Sequence, residues 1–181
     1  MNNWNQEKYL QAWNYASRIH NGQKVPGGDI PYINHIGLVV MEAAAAVANN
    51  EQITQPDLIV LCALLHDAIE DTDTSYDDIK LEFGSDIADG VMALTKDKNL
   101  ATKMQQMQDS IERIKQQPKE VWMVKLCDRI TNLQPPPKHW NIEKIEKYRN
   151  EASFILEQLG EANSFLAQRL QSKIDGYKQY L

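Results

Sequence analysis

The stretch Leu64-Leu65-His66-Asp67-Ala68-Ile69-Glu70-Asp71-Thr72 constrains this chain more than any other. An apolar segment there abruptly acquires four side chains that bind metals or carry protons. On a helix advancing about 100° per residue, Glu70 falls about 40° from His66, Asp67 about 100° and Asp71 about 140°. Leu61, Cys62, Leu64, Leu65, Ala68 and Ile69 fill the remaining arc, so one face is core and the other is a His/Asp/Glu/Asp strip. Three carboxylates this close repel one another, and such a strip needs a cation. Taken alone, it also fits the acidic, solvated end of a helix. Groups elsewhere in the chain have to decide.

The bulk properties narrow the field. A chain of 181 residues is expected to form one domain over 1–181 with a full-sized core. A hydrophobic fraction of 43% and a charged fraction of 24% are ordinary for a globular protein. The net charge of −6 argues against nucleic-acid binding, and it requires any polyanionic substrate to be held by local cations. The longest apolar run, residues 36–48, is interrupted by Glu42 and is too short to span a membrane. Residues 1–7 have neither the basic nor the apolar region of a signal peptide. Cys62 and Cys127 lie in apolar surroundings without Cys-x-x-Cys spacing, which suggests reduced structural thiols in a cytoplasm. Nothing in the sequence reveals an oligomeric state.

Helical periodicity dominates the rest. Residues 6–20 carry apolar side chains at three- and four-residue spacings, and glycines and prolines break residues 21–31. Helix is expected again over 33–48. A long helix is expected from Thr54, as N-cap with Pro56 in the first turn, through to Asp71. Ser75 to Asp78 reads as a capping box for a short helix ending at Phe83-Gly84, and another is expected over 85–94. Residues 100–116 have only a thin apolar stripe of Met104, Met107, Ile111 and Ile114, which predicts a loosely packed, exposed helix. Pro118 opens a further helix, and Pro135-Pro136-Pro137 closes it. Helices over 141–159 and 163–180 complete an all-α fold of about eight to ten helices, because no stretch alternates at period two.

Two other elements offer partners for the acidic strip. His35 stands near the start of a helix, and Asp128 lies on a helix whose neighbours are apolar, where an unpaired carboxylate is costly to bury. His35, His66, Asp67 and Asp128 make a mixed nitrogen and oxygen donor set suited to Mn²⁺, Fe²⁺, Zn²⁺ or Mg²⁺. On composition alone, His35 also fits a hydrogen-bonded structural residue, and Asp128 fits a local ion pair with Arg129. His139 has no evident partner and is expected at the surface.

The order His35 … His66-Asp67 … Asp128 resembles the HD superfamily of metal-dependent phosphohydrolases. The strings His20-Asn21-Gly22-Gln23, Pro31-Tyr32-Ile33-Asn34-His35, His66-Asp67-Ala68-Ile69-Glu70-Asp71-Thr72, Leu94-Thr95-Lys96 and Lys125-Leu126-Cys127-Asp128-Arg129-Ile130-Thr131-Asn132-Leu133 are similar to the hydrolase domain of the Rel/SpoT alarmone enzymes. With no synthetase domain attached, the chain resembles the stand-alone small alarmone hydrolases of the Mesh type, strongest over residues 5–160. The resemblance implies an HD-domain helical bundle and one Mn²⁺ held by His35, His66, Asp67 and Asp128. Glu70 and Asp71 would then flank the attacking water. The implied reaction removes pyrophosphate from the ribose 3′ position of (p)ppGpp, returning GDP or GTP. It further implies substrate contacts at Lys24, Tyr32, Asn132, Lys103, Lys144 and Tyr148.

Three departures from that family stand out. The loop before Pro31-Tyr32 usually carries an arginine that stacks on the purine. Here Lys24 is its only cation, and an ammonium lacks the planar guanidinium. Guanine preference is therefore open, with adenine alarmones such as ppApp as an alternative substrate. Ile36 replaces the usual proline after the histidine, and three prolines replace the usual loop after Gln134. Other readings are a nucleotidase, an NADPH 2′-phosphatase and a regulatory module that binds nucleotides without turnover. The products distinguish the enzymes, and a broken metal set would mark the module.

Overall fold

The computed structural model describes residues 4–49 and 53–181. Residues 1–3, part of the stretch inspected for a signal peptide, lie outside the described residues. Within them the chain forms ten α-helices and two short 3-10 turns, and the sole β-type pairing is an isolated bridge between Lys24 and Pro31. The all-α expectation agrees with this, and no described helix is long and apolar enough to cross a membrane.

The centre of the molecule is α3 (Pro56–Leu65), in which every residue from Leu58 to Leu65 is buried. A helix that is apolar all round must be enclosed on all sides. Enclosing it are α1 (Gln6–Ile19), α2 (Ile33–Asn49), α6 (Ser85–Leu94) and α8 (Lys119–Asn132). The approach of α6 depends on Gly90, where an added Cβ would lie 2.7 Å from Cys62 Sγ and 3.1 Å from Val121. On the far side of α8 pack α9 (Ile142–Leu159) and α10 (Ser164–Gly176), followed by a 3-10 turn over Tyr177–Tyr180. Arg169 on α10 makes a two-pronged ion pair with Glu42, which is buried on α2, and so ties the two outer layers together.

The long helix expected from Thr54 to Asp71 is instead two pieces. It stops at Leu65, turns at His66-Asp67 and resumes for one turn as α4 (Ala68–Asp71). His66 keeps helical angles, but Asp67 swings to φ −103°, ψ 2°. At this corner the Asp67 carboxylate is held by the Tyr32 hydroxyl at 2.6 Å and by His66 Nε2 at 2.9 Å. The wheel projection drawn from the sequence therefore does not describe the strip.

Nor is Thr54 the N-cap. Gln55 occupies that position and offers no side-chain cap. The free amides are satisfied from α8, where buried Glu120 Oε1 accepts from Thr54 N at 3.1 Å, Gln55 N at 3.1 Å and Thr54 Oγ1 at 3.2 Å. The capping box at Ser75 does form and opens α5 (Tyr76–Phe83), and Gly84 separates α5 from α6 at φ 91°.

The helix expected to be loose is α7 (Lys103–Lys115), and only Met104 of its stripe is exposed. Met107, Ile111 and Ile114 are buried. Ser110 donates to Ala93 O at 2.9 Å, and Arg113 Nη2 donates to Thr95 O at 2.6 Å. A polar surface thus coexists with a firmly docked inner stripe, because the docking bonds go to the carbonyls that end α6.

Replacing Glu120 by Ala leaves the start of α3 uncapped and should cost about 1–3 kcal/mol of stability. Urea unfolding followed by circular dichroism measures it, with a lower midpoint and an unchanged slope as the expected result.

Candidate metal centre and active site

Three helices bring four donors together. His35 sits in the first turn of α2, after the Gly/Pro-rich loop; His66 and Asp67 form the corner after α3; Asp128 lies in the last turns of α8. His35 Nε2 is 3.4 Å from His66 Nε2, 3.6 Å from Asp67 Oδ2 and 3.6 Å from Asp128 Oδ1. His66 Nε2 is 2.9 Å from Asp67 Oδ2 and 3.9 Å from Asp128 Oδ1. Donors about 2.1 Å from a common ion stand about 3.0–3.5 Å apart. The spacing, and the mixed imidazole and carboxylate chemistry, fit one divalent cation. His35, His66 and Asp128 are buried, and their donor atoms all lie within 4.8 Å of one another. His66 is fixed through its other nitrogen, with Nδ1 donating to Ala63 O at 2.9 Å, which leaves Nε2 directed at the cluster.

The electrostatics point the same way. Burial by itself would favour neutral His66, but Asp67 and Asp128 outweigh it and push its pKa up to about 9. Burial would likewise favour protonated Asp128, yet Lys125 and His66 bring it down to about 2. Two ionised, buried carboxylates thus create a field that favours positive charge where the imidazoles meet.

Glu70 and Asp71 are held beside this cluster by lysines. The Glu70 carboxylate accepts from Lys96 N at 3.0 Å and from Lys96 Nζ at 3.2 Å. Lys98 Nζ lies 3.6 Å from Asp71 Oδ1. Burial raises the pKa of Asp71, and the neighbouring Asp67 and Glu70 charges add to that. Next to them a cavity of about 370 Å³ is lined by Glu70, Asp128, Lys96, Lys98, Lys103, Lys125 and Arg129, among others. A larger open groove of about 710 Å³ lies against Asn5, Lys8 and Asp57 and contains none of these groups.

The substrate contacts implied by resemblance divide. Asn132 lines the 370 Å³ cavity and donates to Asp128 Oδ1, and Lys103 and Tyr148 line it as well. Tyr32 instead supports a donor through its bond to Asp67. Lys24 is paired with Asp29 at 2.6 Å on an exposed loop, and Lys144 stacks over Trp140 with Nζ 4.4 Å from the ring centre. Neither lines the cavity. His139 is exposed, as expected.

Sequence reasoning gave Lys98 no role, met Lys96 and Lys125 only inside family strings, and offered Arg129 as an ion-pair partner of Asp128. Arg129 instead pairs with Glu151 at 3.7 Å, and Asp128 with Lys125. Lys125 could have been found from its spacing, three residues before Asp128 on one helix, and its Nζ donates to Asp128 Oδ2 at 3.2 Å. Arg129 lies over the Tyr148 ring at 4.6 Å. Its Nε and Nη1 are buried without a hydrogen-bond partner among the described residues. Lys98 gave no signal, and Lys96 none beyond its place in a family string, because their partner lies 26 or more residues away.

Comparison with known proteins finds relatives over most of the chain. Residues 12–163 match the family model described as HD domain. The chain is 31% identical over 169 residues to the Danio rerio guanosine-3′,5′-bis(diphosphate) 3′-pyrophosphohydrolase MESH1, covering 90% of this chain and 89% of that one. It is 34% identical over 169 residues to the Homo sapiens enzyme of the same name, covering 89% of each. A solved structure described as a metazoan ortholog of SpoT that hydrolyses ppGpp superposes with a TM-score of 0.82 at 26% identity, covering 97% of this chain and 98% of that one.

Substituting Asp128 by Ala should lower divalent-metal affinity by more than about 100-fold, since removing even an outer partner of a ligand costs about 10–100-fold. Calorimetric titration with Mn²⁺ checks this, with circular dichroism confirming the helical fold.

Proposed function

The chain belongs to the HD-domain family, and we infer that within it the chain is an alarmone hydrolase, a guanosine-3′,5′-bis(diphosphate) 3′-pyrophosphohydrolase. The observation that carries this reading is the pairing of the His35, His66 and Asp128 cluster, with Asp67 against its two histidines, with a lysine-lined cavity on an otherwise acidic molecule. A substrate with a diphosphate at both the 3′ and the 5′ position of its ribose needs both: a cation at the scissile phosphate and further positive charge for the rest.

In this reading His35, His66, Asp67 and Asp128 hold the divalent ion; the donor set suits Mn²⁺, Fe²⁺, Zn²⁺ or Mg²⁺ alike, and Mn²⁺ is the proposed occupant because the family resemblance implies it. Such an ion acidifies water and polarises a phosphoryl oxygen. The chain's own groups do the rest. Glu70 and Asp71 orient the attacking water and take up its proton, an effect worth about 10²–10⁴-fold. Lys96 keeps the Glu70 carboxylate pointed at the cavity. Lys98, Lys103 and Lys125 offer ammonium donors to the phosphates, and Asn132 and Tyr148 line the space for the nucleoside. Tyr32 holds Asp67 in place. A cytoplasmic setting suits the two buried, unpaired cysteines.

One observation favours a broader substrate range. Lys24 is committed to Asp29 and lies outside the cavity, so the loop supplies no stacking cation for guanine. We therefore propose that adenine alarmones such as ppApp are accepted alongside ppGpp.

With Mn²⁺ and ppGpp the purified protein should release pyrophosphate and GDP, read by chromatography; orthophosphate release would point to a phosphatase instead. Glu70→Gln should retain metal and lose turnover by at least about 10²-fold, near the low end of what a positioned acid or base contributes. For ppApp against ppGpp, kcat/KM should agree within about 10-fold, because the loop before Pro31 supplies no arginine to stack on the purine.

A further inference from the structure

The string His20-Asn21-Gly22-Gln23 forms the corner that ends α1, with Gly22 at φ 83° turning the chain back. From this corner Gln23 reaches the turn that carries Glu70 and Asp71. That turn, Ala68–Asp71, is a four-residue helix, too short to fix its own orientation. Its internal ties are the bond from Asp71 N to Asp67 O at 2.9 Å and the bond from Thr72 Oγ1 to Ala68 O at 2.6 Å. On one side Lys96 and Lys98 hold it. On the other, Gln23 Nε2 donates to Asp71 O at 2.5 Å.

The orientation of the Gln23 amide follows from its neighbours. A main-chain carbonyl can only accept, so the amide nitrogen must face Asp71 O. Oε1 then faces His20 Nδ1 at 2.7 Å, and Nδ1 must carry the proton. His20 is buried, packs against Tyr32 with ring centres 5.2 Å apart and planes tilted by 35°, and leaves Nε2 without a hydrogen-bond partner among the described residues. The backbone of Gln23 completes the link, because its carbonyl accepts from Tyr32 N at 3.0 Å, and Tyr32 holds Asp67. One residue thereby connects both ends of the segment from Asp67 to Asp71.

We propose that Gln23 is a positioning residue for the turn bearing Glu70 and Asp71, and that His20 acts through it by fixing the direction of its amide. The proposal rests on the hydrolase reading for its effect on turnover. Its effect on the turn itself is independent of any substrate.

The test uses the full chain loaded with Mn²⁺. Gln23→Leu keeps the bulk and removes both amide bonds, and Gln23→Glu keeps the acceptor for His20 while setting an oxygen against Asp71 O. Each should lower kcat by about 10-fold or more, the scale of a small misplacement at a reacting group. KM should stay within about 3-fold, with metal content unchanged. Hydrogen exchange of residues 67–73 should quicken in both, while α8 keeps its protection. His20→Phe, which preserves ring packing, should lower kcat less, and should cost nothing further in the Gln23→Leu background. Unchanged kcat and unchanged exchange would overturn the proposal, as would a raised KM at full kcat; additive losses would remove His20 from it. If the wild type turns over no alarmone while exchange at 67–73 still quickens in the variants, the hydrolase reading fails and the positioning role stands.

Discussion

A helix with no solvent face has to end somewhere, and where α3 ends determines the chemistry of this protein. Leu58 to Leu65 are all buried, so four neighbouring helices wrap them and the next residues emerge inside the molecule. His66 and Asp67 would be costly to bury alone. They become stable there because α2 supplies His35, α8 supplies Asp128 and the loop before α2 supplies Tyr32. The hydrophobic demand of one segment thus assembles polar groups from segments far apart in sequence.

A second constraint follows from charge. The chain carries a net −6, and the cluster adds ionised carboxylates to its interior. Lys96, Lys98, Lys125 and Arg129 offset them locally, each paired with a carboxylate or carbonyl at the edge of one cavity. These pairings hold the acidic groups in fixed directions and leave a cationic wall beside them, which suits a polyanion that the outer surface as a whole would repel. Lys24, paired with Asp29 on an exposed loop, stands outside this arrangement.

Much of this was legible in the residues, and the misreadings have physical causes. Apolar periodicity located the main helices, and the Ser75 box and the triple proline marked boundaries correctly, because these signals are local. The helix through His66-Asp67 was drawn unbroken because Tyr32, which holds Asp67 at the corner, is 35 residues away. Thr54 looked like a cap because the true cap, Glu120, belongs to α8. Residues 100–116 looked loose because the bonds that dock α7 go to backbone carbonyls, which composition does not display.

What the sequence determined by itself was an all-α chain with a His/Asp donor set and an adjoining Glu-Asp pair, since side-chain chemistry and helical spacing are written residue by residue. The string from His66 to Thr72, set beside His35 and Asp128, was enough to point to the family. The tertiary structure decided which groups meet. It drew Tyr32 to a donor rather than to open cavity, left Lys24 and Lys144 outside, and enlisted Lys96, Lys98 and Gln23 to hold a single turn in place. Those choices depend on distances between segments far apart in the chain, and only the packing around α3 sets them.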